Sequence, residues 1–325
     1  MTKQKNTAKK ILVTGGAGFI GSHLVDRLLA FGMASTITCV DNFDPFYDTA
    51  RKEENVRRAL SHSIYSLERS DICDKDGLNK IFQRARPQVV VHLAARAGVR
   101  PSLVNPAAYH RTNVEGTLNV LECARDNGAE KVVFGSSSSV YGVSSSLPFA
   151  ETDSLHCPIS PYAVTKIAAE SLCHIFNRLY GISAVCLRFF TVYGPRQRPE
   201  MAIAKFVRSV LQQETIDVYG NGSSLRDYTY VDDIVDGVLA AIEKPITCEV
   251  INLGNAHAVP LKELLGVIQK ELGIKACLRR MPSQAGDVPV TFASLAKAKK
   301  LLGYKPKVTI GEGIRRYVEW QKECP

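Results

Sequence analysis

The sequence predicts an α/β protein with a doubly wound parallel sheet followed by a smaller C-terminal α+β lobe. Short continuous apolar runs at residues 11–13, 89–93 and 132–134 have the length and composition of strands that are covered on both faces. Stretches with helical apolar spacing separate these runs. This alternation indicates βαβ units, in which helical crossovers connect parallel strands.

The remaining elements follow in the same order along the chain. Residues 37–40 and 184–190 are further strand candidates, and residues 132–134 are counted as the fourth strand. The first helix runs through Leu24, Leu28 and Leu29. A later helix is expected to end near Gly128, and its apolar face is formed by Val114, Leu118, Leu121 and Ala124.

The character of the chain changes after about residue 190, where proline and glycine cluster and short elements alternate irregularly. We therefore expect a first domain at residues 1–187, whose residues 1–9 form a basic tail. The second unit is expected at residues 188–325. Within it, residues 230–257 combine a helical with a strand pattern and are expected to pack back on the first domain.

The composition is that of a globular protein. Of the 325 residues, 45% are hydrophobic and 22% are charged, which excludes disordered, collagen-like and coiled-coil chains. No apolar run approaches the roughly 18 residues of a membrane span, and the basic N-terminus lacks a secretory pattern. Nine scattered cysteines without a C-x-x-C pair predict reduced, buried thiols and a cytoplasmic location. The histidine spacing predicts no metal.

The formal charge of +9 leaves three kinds of partner open, namely nucleic acid, a membrane surface and an acidic small molecule. Four of the nine charges come from lysines that precede or begin the first strand, at positions 3, 5, 9 and 10. The remaining excess is modest, and no basic stripe with interleaved aromatic residues stands out. An acidic small molecule is therefore the favoured partner, with no nucleic acid and no membrane.

A glycine-rich turn follows the first strand and opens a helix. Its spacing is G-x-x-G-x-x-G through Gly15, Gly18 and Gly21, and Phe19 and Ile20 lie within it. Such a turn brings a pyrophosphate to the N–H groups of a helix N-terminus. Twenty residues after Gly21, Asp41 ends the second strand, where a carboxylate accepts bonds from an adenosine ribose. An acid there favours NAD over NADP.

Tyr162 and Lys166 lie four residues apart, in a segment where Ser160 and Pro161 are typical of a helix start. Positions i and i+4 share one face of a helix. A nearby ammonium, together with the positive nicotinamide of NAD⁺, is expected to lower the pKa of the tyrosine from about 10. The tyrosine would then serve as a general base.

A run of four serines, at positions 136–139, ends the strand at 132–134. Ligands of open α/β sheets bind beyond the carboxyl ends of the strands. Because a hydroxyl can donate and accept at once, these serines are candidates to hold a sugar hydroxyl while Tyr162 removes its proton.

These motifs, in this order, resemble the extended short-chain dehydrogenase/reductase family, and in particular its nucleotide-sugar epimerases. The resemblance runs from about residue 10 to residue 320. It includes Leu93-Ala94-Ala95, Asn113, the segment 188–195, Arg226-Asp227-Tyr228 and Val231-Asp232-Asp233. It implies a Rossmann-type fold, a permanently bound NAD, a UDP-sugar substrate and a homodimer built from helices near 104–126 and 160–180.

The resemblance also implies a role for each matching residue. Tyr162 takes the proton of the sugar 4-hydroxyl while hydride moves from C4 to the nicotinamide, Ser137 shares that proton, and Lys166 binds the nicotinamide ribose. The hydride then returns to the other face of the 4-keto sugar. Arg226 is assigned to the diphosphate and Asp287 to the uridine ribose. The implied cofactor-binding set is Gly15, Gly18, Phe19, Ile20, Gly21, Asp41, Asn42, Asp71, Ile72, Leu93, Ala94, Ala95, Asn113, Tyr162 and Lys166.

Finer features are similar to the UDP-glucuronate 4-epimerases of that family. Segments 97–102, 191–199 and 284–289 carry this likeness. Arg198 matches the arginine proposed there for the glucuronyl carboxylate, which needs charge-assisted donors. Ser138, Ser139 and Thr191 add hydroxyl donors.

Alternatives remain open within and outside this family. Gln284 replaces an arginine of UDP-galactose 4-epimerases, and Thr291 stands where those enzymes place a bulkier residue, so UDP-glucose/UDP-galactose or an N-acetylhexosamine remains an alternative substrate. UDP-glucuronate decarboxylases carry a glutamate at the position of Ser139, and 4,6-dehydratases need an acid pair there, so both activities are disfavoured. A non-catalytic NAD-binding module is disfavoured because Tyr162 and Lys166 are both present.

Overall fold

The computed structural model describes residues 8–143, 147–220, 222, 224–282 and 290–323. The strands are β1 (Lys9–Thr14), β2 (Ala34–Asp41), β3 (Tyr65–Arg69), β4 (Val89–His92), β5 (Lys131–Ser137), β6 (Ser183–Phe189), β7 (Thr191–Tyr193), β8 (Thr215–Tyr219), β9 (Leu225–Tyr230), β10 (Cys248–Leu253), β11 (Ala258–Pro260) and β12 (Cys277–Met281).

The helices alternate with these strands. They are α1 (Phe19–Phe31), α2 (Thr49–Arg57), α3 (Lys75–Ala85), α4 (Val99–Val104), α5 (Pro106–His110), α6 (Gly116–Asp126), α7 (Pro161–Tyr180), α8 (Ala202–Leu211), α9 (Val231–Glu243), α10 (Leu261–Leu272), α11 (Ala296–Leu302) and α12 (Ile310–Glu323). Within the described part of the chain, no helix is long and apolar enough to cross a membrane.

A seven-stranded parallel sheet forms the centre of the molecule, with strand order β10-β6-β5-β4-β1-β2-β3. The order reverses between β1 and β4, and helices α1 and α9 pack on one face while α3, α6 and α7 pack on the other. This is the doubly wound Rossmann arrangement that the sequence predicts. A ligand is therefore expected at the carboxyl ends of β1 and β4.

The third strand in the chain, β3, was not predicted. Its sequence, YSLER, has only one fully buried residue, Tyr65. It lies at the edge of the sheet, where polar side chains remain in contact with water. The strand at 132–134 is accordingly the fifth strand and not the fourth.

The helix predicted to end near Gly128 is divided into several pieces. Helices α4 and α5 come first, a π-type turn at Arg111–Glu115 follows, and α6 ends at Asp126. Gly128 then takes a positive φ of 74°, a conformation that glycine adopts readily. Helix α7 begins as predicted, because the Ser160 hydroxyl accepts from the Ala163 N–H at 3.2 Å and Pro161 occupies the first turn.

The second lobe contains a three-stranded sheet, β11-β9-β7, and a parallel pair, β12-β8. Helix α9 packs against α1, and β10 pairs with β6 at the edge of the large sheet. One continuous apolar core joins the large sheet to the second lobe. The boundary that we propose near residue 188 therefore divides two units that share a core.

The cysteine prediction was partly wrong. Eight cysteines lie in the described residues, and all are free thiols. Cys39, Cys123, Cys173 and Cys186 are buried as predicted, but Cys157 and Cys277 are exposed. Both of these lie near the surface rather than in the apolar strand segments that prompted the prediction.

Candidate active site

A cleft of about 950 Å³ opens at the carboxyl ends of the parallel strands. Its walls come from the glycine-rich turn, the ends of β2, β4 and β5, helix α7 and the second lobe. Every predicted cofactor-binding residue except Asn113 lines it. The predicted catalytic residues line it too, as do Ser138, Ser139, Thr191, Arg198 and Arg226. Asp287 and Gln284 lie outside the described residues.

The glycine-rich turn leaves no room for side chains at two of its glycines. Gly15 has φ +72°, and a Cβ there would lie 2.6 Å from the Ala94 nitrogen. A Cβ on Gly21 would overlap the Gly15 carbonyl oxygen. Gly18 precedes α1 and has no side chain to cap it, so the first N–H groups of the helix remain for a ligand. These features fit the pyrophosphate of NAD.

We predict that Gly21→Ala loses bound NAD and destabilises the fold by about 1–3 kcal/mol, because the added methyl group clashes with backbone that cannot move alone. Gly266→Ala is the matched control, since a Cβ added to this helical glycine would meet open space. We expect the control to be stabilised by about 0.5–1 kcal/mol. Urea unfolding and the NAD content of the purified proteins measure both effects, and equal behaviour of the two variants would contradict the prediction.

Asp41 lies at the end of β2 and is buried. Its carboxylate accepts bonds from the N–H groups of Phe43 at 2.9 Å and Ala17 at 3.1 Å. The ammonium of Lys52 is 3.5 Å away. The carboxylate is thus fixed beside the glycine-rich turn, in a position that suits an adenosine ribose. Lys52, which also lines the cleft, was not predicted, because it lies on α2 and nothing in the local sequence distinguishes it.

Asn42 and Asp71 form the neighbouring wall, where the Asn42 amide donates to the Asp71 carboxylate at 3.0 Å. Asp71 also accepts from the Cys73 N–H at 2.8 Å. The first of these bonds joins the segment after β2 to the segment after β3, and the second fixes the Asp71 carboxylate locally. The wall therefore lies close to Asp41, where the adenosine end of NAD is expected.

Asn113 is the predicted cofactor-binding residue that does not line the cleft. Its side chain is buried outside the cleft lining. The amide accepts from the Arg96 N–H at 2.8 Å and donates to the Arg96 carbonyl at 2.9 Å and to the Thr165 hydroxyl at 3.0 Å. Asn113 thus joins the loop after β4 to helix α7 and supports the cleft wall, while its role in cofactor binding stays a prediction.

Ser137, Tyr162 and Lys166 converge where the end of β5 meets the start of α7. Ser137 and Tyr162 share a side-chain hydrogen bond. The Lys166 ammonium donates to the Gly135 carbonyl at 2.7 Å and lies 5.9 Å from the centre of the Tyr162 ring. The tyrosine ring also packs edge-on against Tyr109, with centroids 6.1 Å apart. The phenol is therefore held between a hydroxyl partner and a cation.

Among the protein's own groups, the direction in which the pKa of Tyr162 is shifted differs from the expectation. Burial raises the pKa of Tyr162, while the Ser137 hydrogen bond and the charge of Arg198 oppose that rise. Burial also lowers the pKa of Lys166 to about 8, and the Glu170 carboxylate opposes that change. The predicted lowering of the tyrosine pKa by the lysine is thus not the dominant effect among the protein's own groups, because burial penalises both charges.

The substrate end of the cleft holds Arg198 and several hydroxyl groups. The Arg198 Nε lies 3.1 Å from the Glu200 carboxylate, and its Nη1 donates to the Ala97 carbonyl at 3.4 Å. The Ser139 hydroxyl is buried and has no hydrogen-bond partner among the described residues. The second lobe also contributes Arg226 and Thr291 to the cleft lining. Donors for an acidic ligand therefore converge beside Tyr162.

A family model described as the NAD dependent epimerase/dehydratase family matches residues 11–254. The chain belongs to this family. UDP-glucuronate 4-epimerase of Thermodesulfobacterium geofontis is 40% identical over 313 residues, which cover 96% of each chain. The family resemblance predicted from the motifs is thus confirmed.

Solved structures agree with this assignment. The UDP-glucuronic acid 4-epimerase from Bacillus cereus, in complex with UDP-glucuronic acid and NAD, has a TM-score of 0.91 and 36% identity, covering 97% of this chain and 99% of that chain. The UDP-glucose 4-epimerase from Thermotoga maritima, with UDP-glucose, has a TM-score of 0.88 and 36% identity, covering 96% and 98%. The chain is an NAD-dependent nucleotide-sugar 4-epimerase.

Proposed function

We propose that this epimerase converts UDP-glucuronate to UDP-galacturonate. The observation that carries the proposal is Arg198, which lines the same cleft as Tyr162 and lies near enough for its charge to act on the pKa of that tyrosine. A 4-hydroxyl at Tyr162 would leave the sugar carboxylate within the same group of donors. A neutral hexose has no charged group to match the arginine.

The proposed roles of the residues are those that the family resemblance implies, and the residues that carry them line the cleft. Tyr162, as phenolate, takes the proton of the 4-hydroxyl, and Ser137 holds that hydroxyl during the transfer. NAD⁺, when bound, accepts the hydride from C4 and returns it to the opposite face of the ring. Tyr162 then gives the proton back to the sugar oxygen. Lys166 supports the phenolate, and Arg226, which also lines the cleft, is assigned to the diphosphate.

The 4-keto form of a uronic acid is a β-keto acid, which readily loses CO₂. We propose that Ser138 and Ser139 hold the carboxylate so that its C–C bond stays out of the orientation that permits this loss. The buried hydroxyl of Ser139 supports this proposal, since no described residue satisfies it.

We predict that the double variant Ser138→Ala, Ser139→Ala releases UDP-pentose in addition to UDP-galacturonate. Chromatography of the reaction mixture with UDP-glucuronate measures the ratio of the two products. Val143→Ala, a change in an exposed side chain near the same strand end, serves as control. A product as pure as that of the unchanged enzyme would exclude this role for the serines.

UDP-glucose or an N-acetylhexosamine is the second candidate substrate. The small side chain of Thr291 on the cleft wall favours it, because it leaves room near the sugar. The deciding experiment incubates the purified enzyme, without added NAD, with UDP-glucuronate, UDP-glucose and UDP-N-acetylglucosamine in parallel. Epimerisation of UDP-glucuronate at the highest kcat/KM supports the proposal, and preference for a neutral sugar refutes it.

We also propose that the enzyme is a homodimer. Helix α7 carries one exposed apolar stripe, through Val164, Ile175 and Leu179, and α4 next to it exposes Leu103 and Val104. A contiguous apolar surface of this kind is typical of a protein interface.

A further inference from the structure

Three residues on one face of helix α7 contact the end of β5. Tyr162, Lys166 and Glu170 follow one another at i, i+4 and i+8, so they lie on one face of the helix. Tyr162 bonds to Ser137, and the Lys166 ammonium donates to the Gly135 carbonyl. The third contact has no role in the chemistry described above.

That third contact is made by Glu170. Its Oε1 accepts from the Ser136 hydroxyl at 2.5 Å. It also accepts from the Arg188 Nε at 2.9 Å, and its Oε2 accepts from the Arg188 Nη2 at 2.8 Å. Arg188 lies on β6, directly opposite Ser136 in the strand register. The carboxylate therefore ties α7 to both β5 and β6, immediately below the reacting groups.

The Glu170–Arg188 pair is buried, with side-chain exposures of 7% and 4%. Such a pair gains little stability over well-packed apolar residues, because both charges lose their hydration. The Arg188 guanidinium is further confined over the Tyr141 ring, 4.8 Å from its centre. Because the buried ion pair adds little to the free energy of folding, we attribute it to a need to fix the position and charge of the groups next to Tyr162 and Lys166.

We propose that Glu170 is a positioning residue for epimerisation: through Ser136 and Arg188 it fixes the Tyr162–Lys166 stripe over the end of β5, and it places a carboxylate one helical turn from Lys166. The proposal rests on the roles proposed above for Tyr162 and Lys166. It adds to them a group that touches neither the sugar nor the cofactor.

The groups that act on Lys166 come from three sides. On α7 they are Glu170, Cys173 and the ring of Tyr162, and on β6 it is Cys186. On β4 it is His92, whose pKa is lowered by burial to about 3, so that its imidazole is neutral. Arg188, also on β6, binds Glu170. Among the groups that raise the pKa of Lys166, Glu170 is the carboxylate. Removal of the Glu170 charge lowers the pKa of Lys166 further below its value of about 8, so Lys166 loses its proton at a lower pH.

The test is the pH profile of kcat for the NAD-loaded enzyme with Glu170→Gln. We expect the alkaline limb to move down by about one pH unit, which at pH 8 reduces the protonated fraction of Lys166 about fivefold. KM for the UDP-sugar should stay within about twofold. Asp233→Asn is the matched control, because it also neutralises a buried carboxylate. Asp233 lies on α9 and accepts hydrogen bonds from the N–H groups of Lys307 and Val308. This control variant should lower Tm and leave the alkaline limb of the kcat profile at the same pH.

Two further variants keep the test valid if Glu170→Gln does not fold. Ser136→Ala leaves the ion pair intact and should lower kcat several-fold at every pH, with the limb in place. The double variant Glu170→Gln, Arg188→Met removes the pair as a whole and should move the limb in the same direction as Glu170→Gln, but less. An unmoved limb in both Glu170 variants, or an unchanged kcat in Ser136→Ala, overturns the inference.

A parallel Tyr162→Phe sample separates this inference from the proposed function. If Tyr162→Phe retains normal turnover, the proposed catalytic roles fail, and the inference fails with them. If Tyr162→Phe is inactive and the Glu170 variants match the unchanged enzyme at all pH values, only the inference fails.

Discussion

Tyr162→Phe is expected to lower epimerisation about 10²–10⁴-fold while the protein keeps its NAD. The phenol oxygen is the proposed proton acceptor for the 4-hydroxyl, and it is the only heavy atom that this substitution removes. The phenylalanine ring would keep the edge-on packing against Tyr109. Turnover is measured by product separation, and NAD content by release from the denatured protein.

Tyr180→Phe is the matched control for this experiment. Tyr180 ends the same helix, but its side chain is 48% exposed and lies outside the cleft lining. Loss of the Tyr180 hydroxyl should leave turnover within about twofold of that of the unchanged enzyme, as expected of a surface substitution. Equal turnover of the two variants would contradict a general-base role for Tyr162.

Arg198→Ala is expected to lower kcat/KM for UDP-glucuronate roughly 10–150-fold, the equivalent of the about 1.5–3 kcal/mol of a hydrogen bond to a charged group. The same substitution also removes a positive charge that lowers the pKa of Tyr162, and this second effect acts on every substrate. The ratio of kcat/KM for UDP-glucuronate to that for UDP-glucose cancels the shared effect. The ratio therefore isolates recognition of the carboxylate.

Arg208→Ala controls for the general loss of one positive charge. Arg208 lies on α8 and is exposed, outside the cleft lining. The ratio of the two substrates should stay unchanged in this variant. If Arg198→Ala reduces both substrates equally, the arginine does not recognise the carboxylate, and the proposal for UDP-glucuronate loses its main support.

Predictions from the sequence were correct for features that a local pattern is sufficient to specify. The turn through Gly15, Gly18 and Gly21 was predicted correctly, because only glycine fits where a Cβ would meet backbone. The start of α7 was predicted equally well, since Ser160 and Pro161 act through contacts within one turn. Edge strand β3 escaped prediction because a strand at the rim of a sheet needs no apolar run.

Features that depend on distant segments could not be predicted. Asn113 has the family's residue type, but its burial between the Arg96 backbone and Thr165 is known only once the loop after β4 meets α7. Likewise, the pKa of Tyr162 depends on how deeply the phenol is buried, which spacing along one helix does not reveal.

By itself, the sequence determined the Rossmann architecture through its apolar patterning and the NAD cofactor through the glycine-rich turn and Asp41, and its motifs identified the family by resemblance. Tertiary structure alone decided which polar and charged groups meet: Lys52 beside Asp41, and Glu170 between Ser136 and Arg188. These partners lie on different elements, and electrostatic interactions fall off with distance through space rather than along the chain.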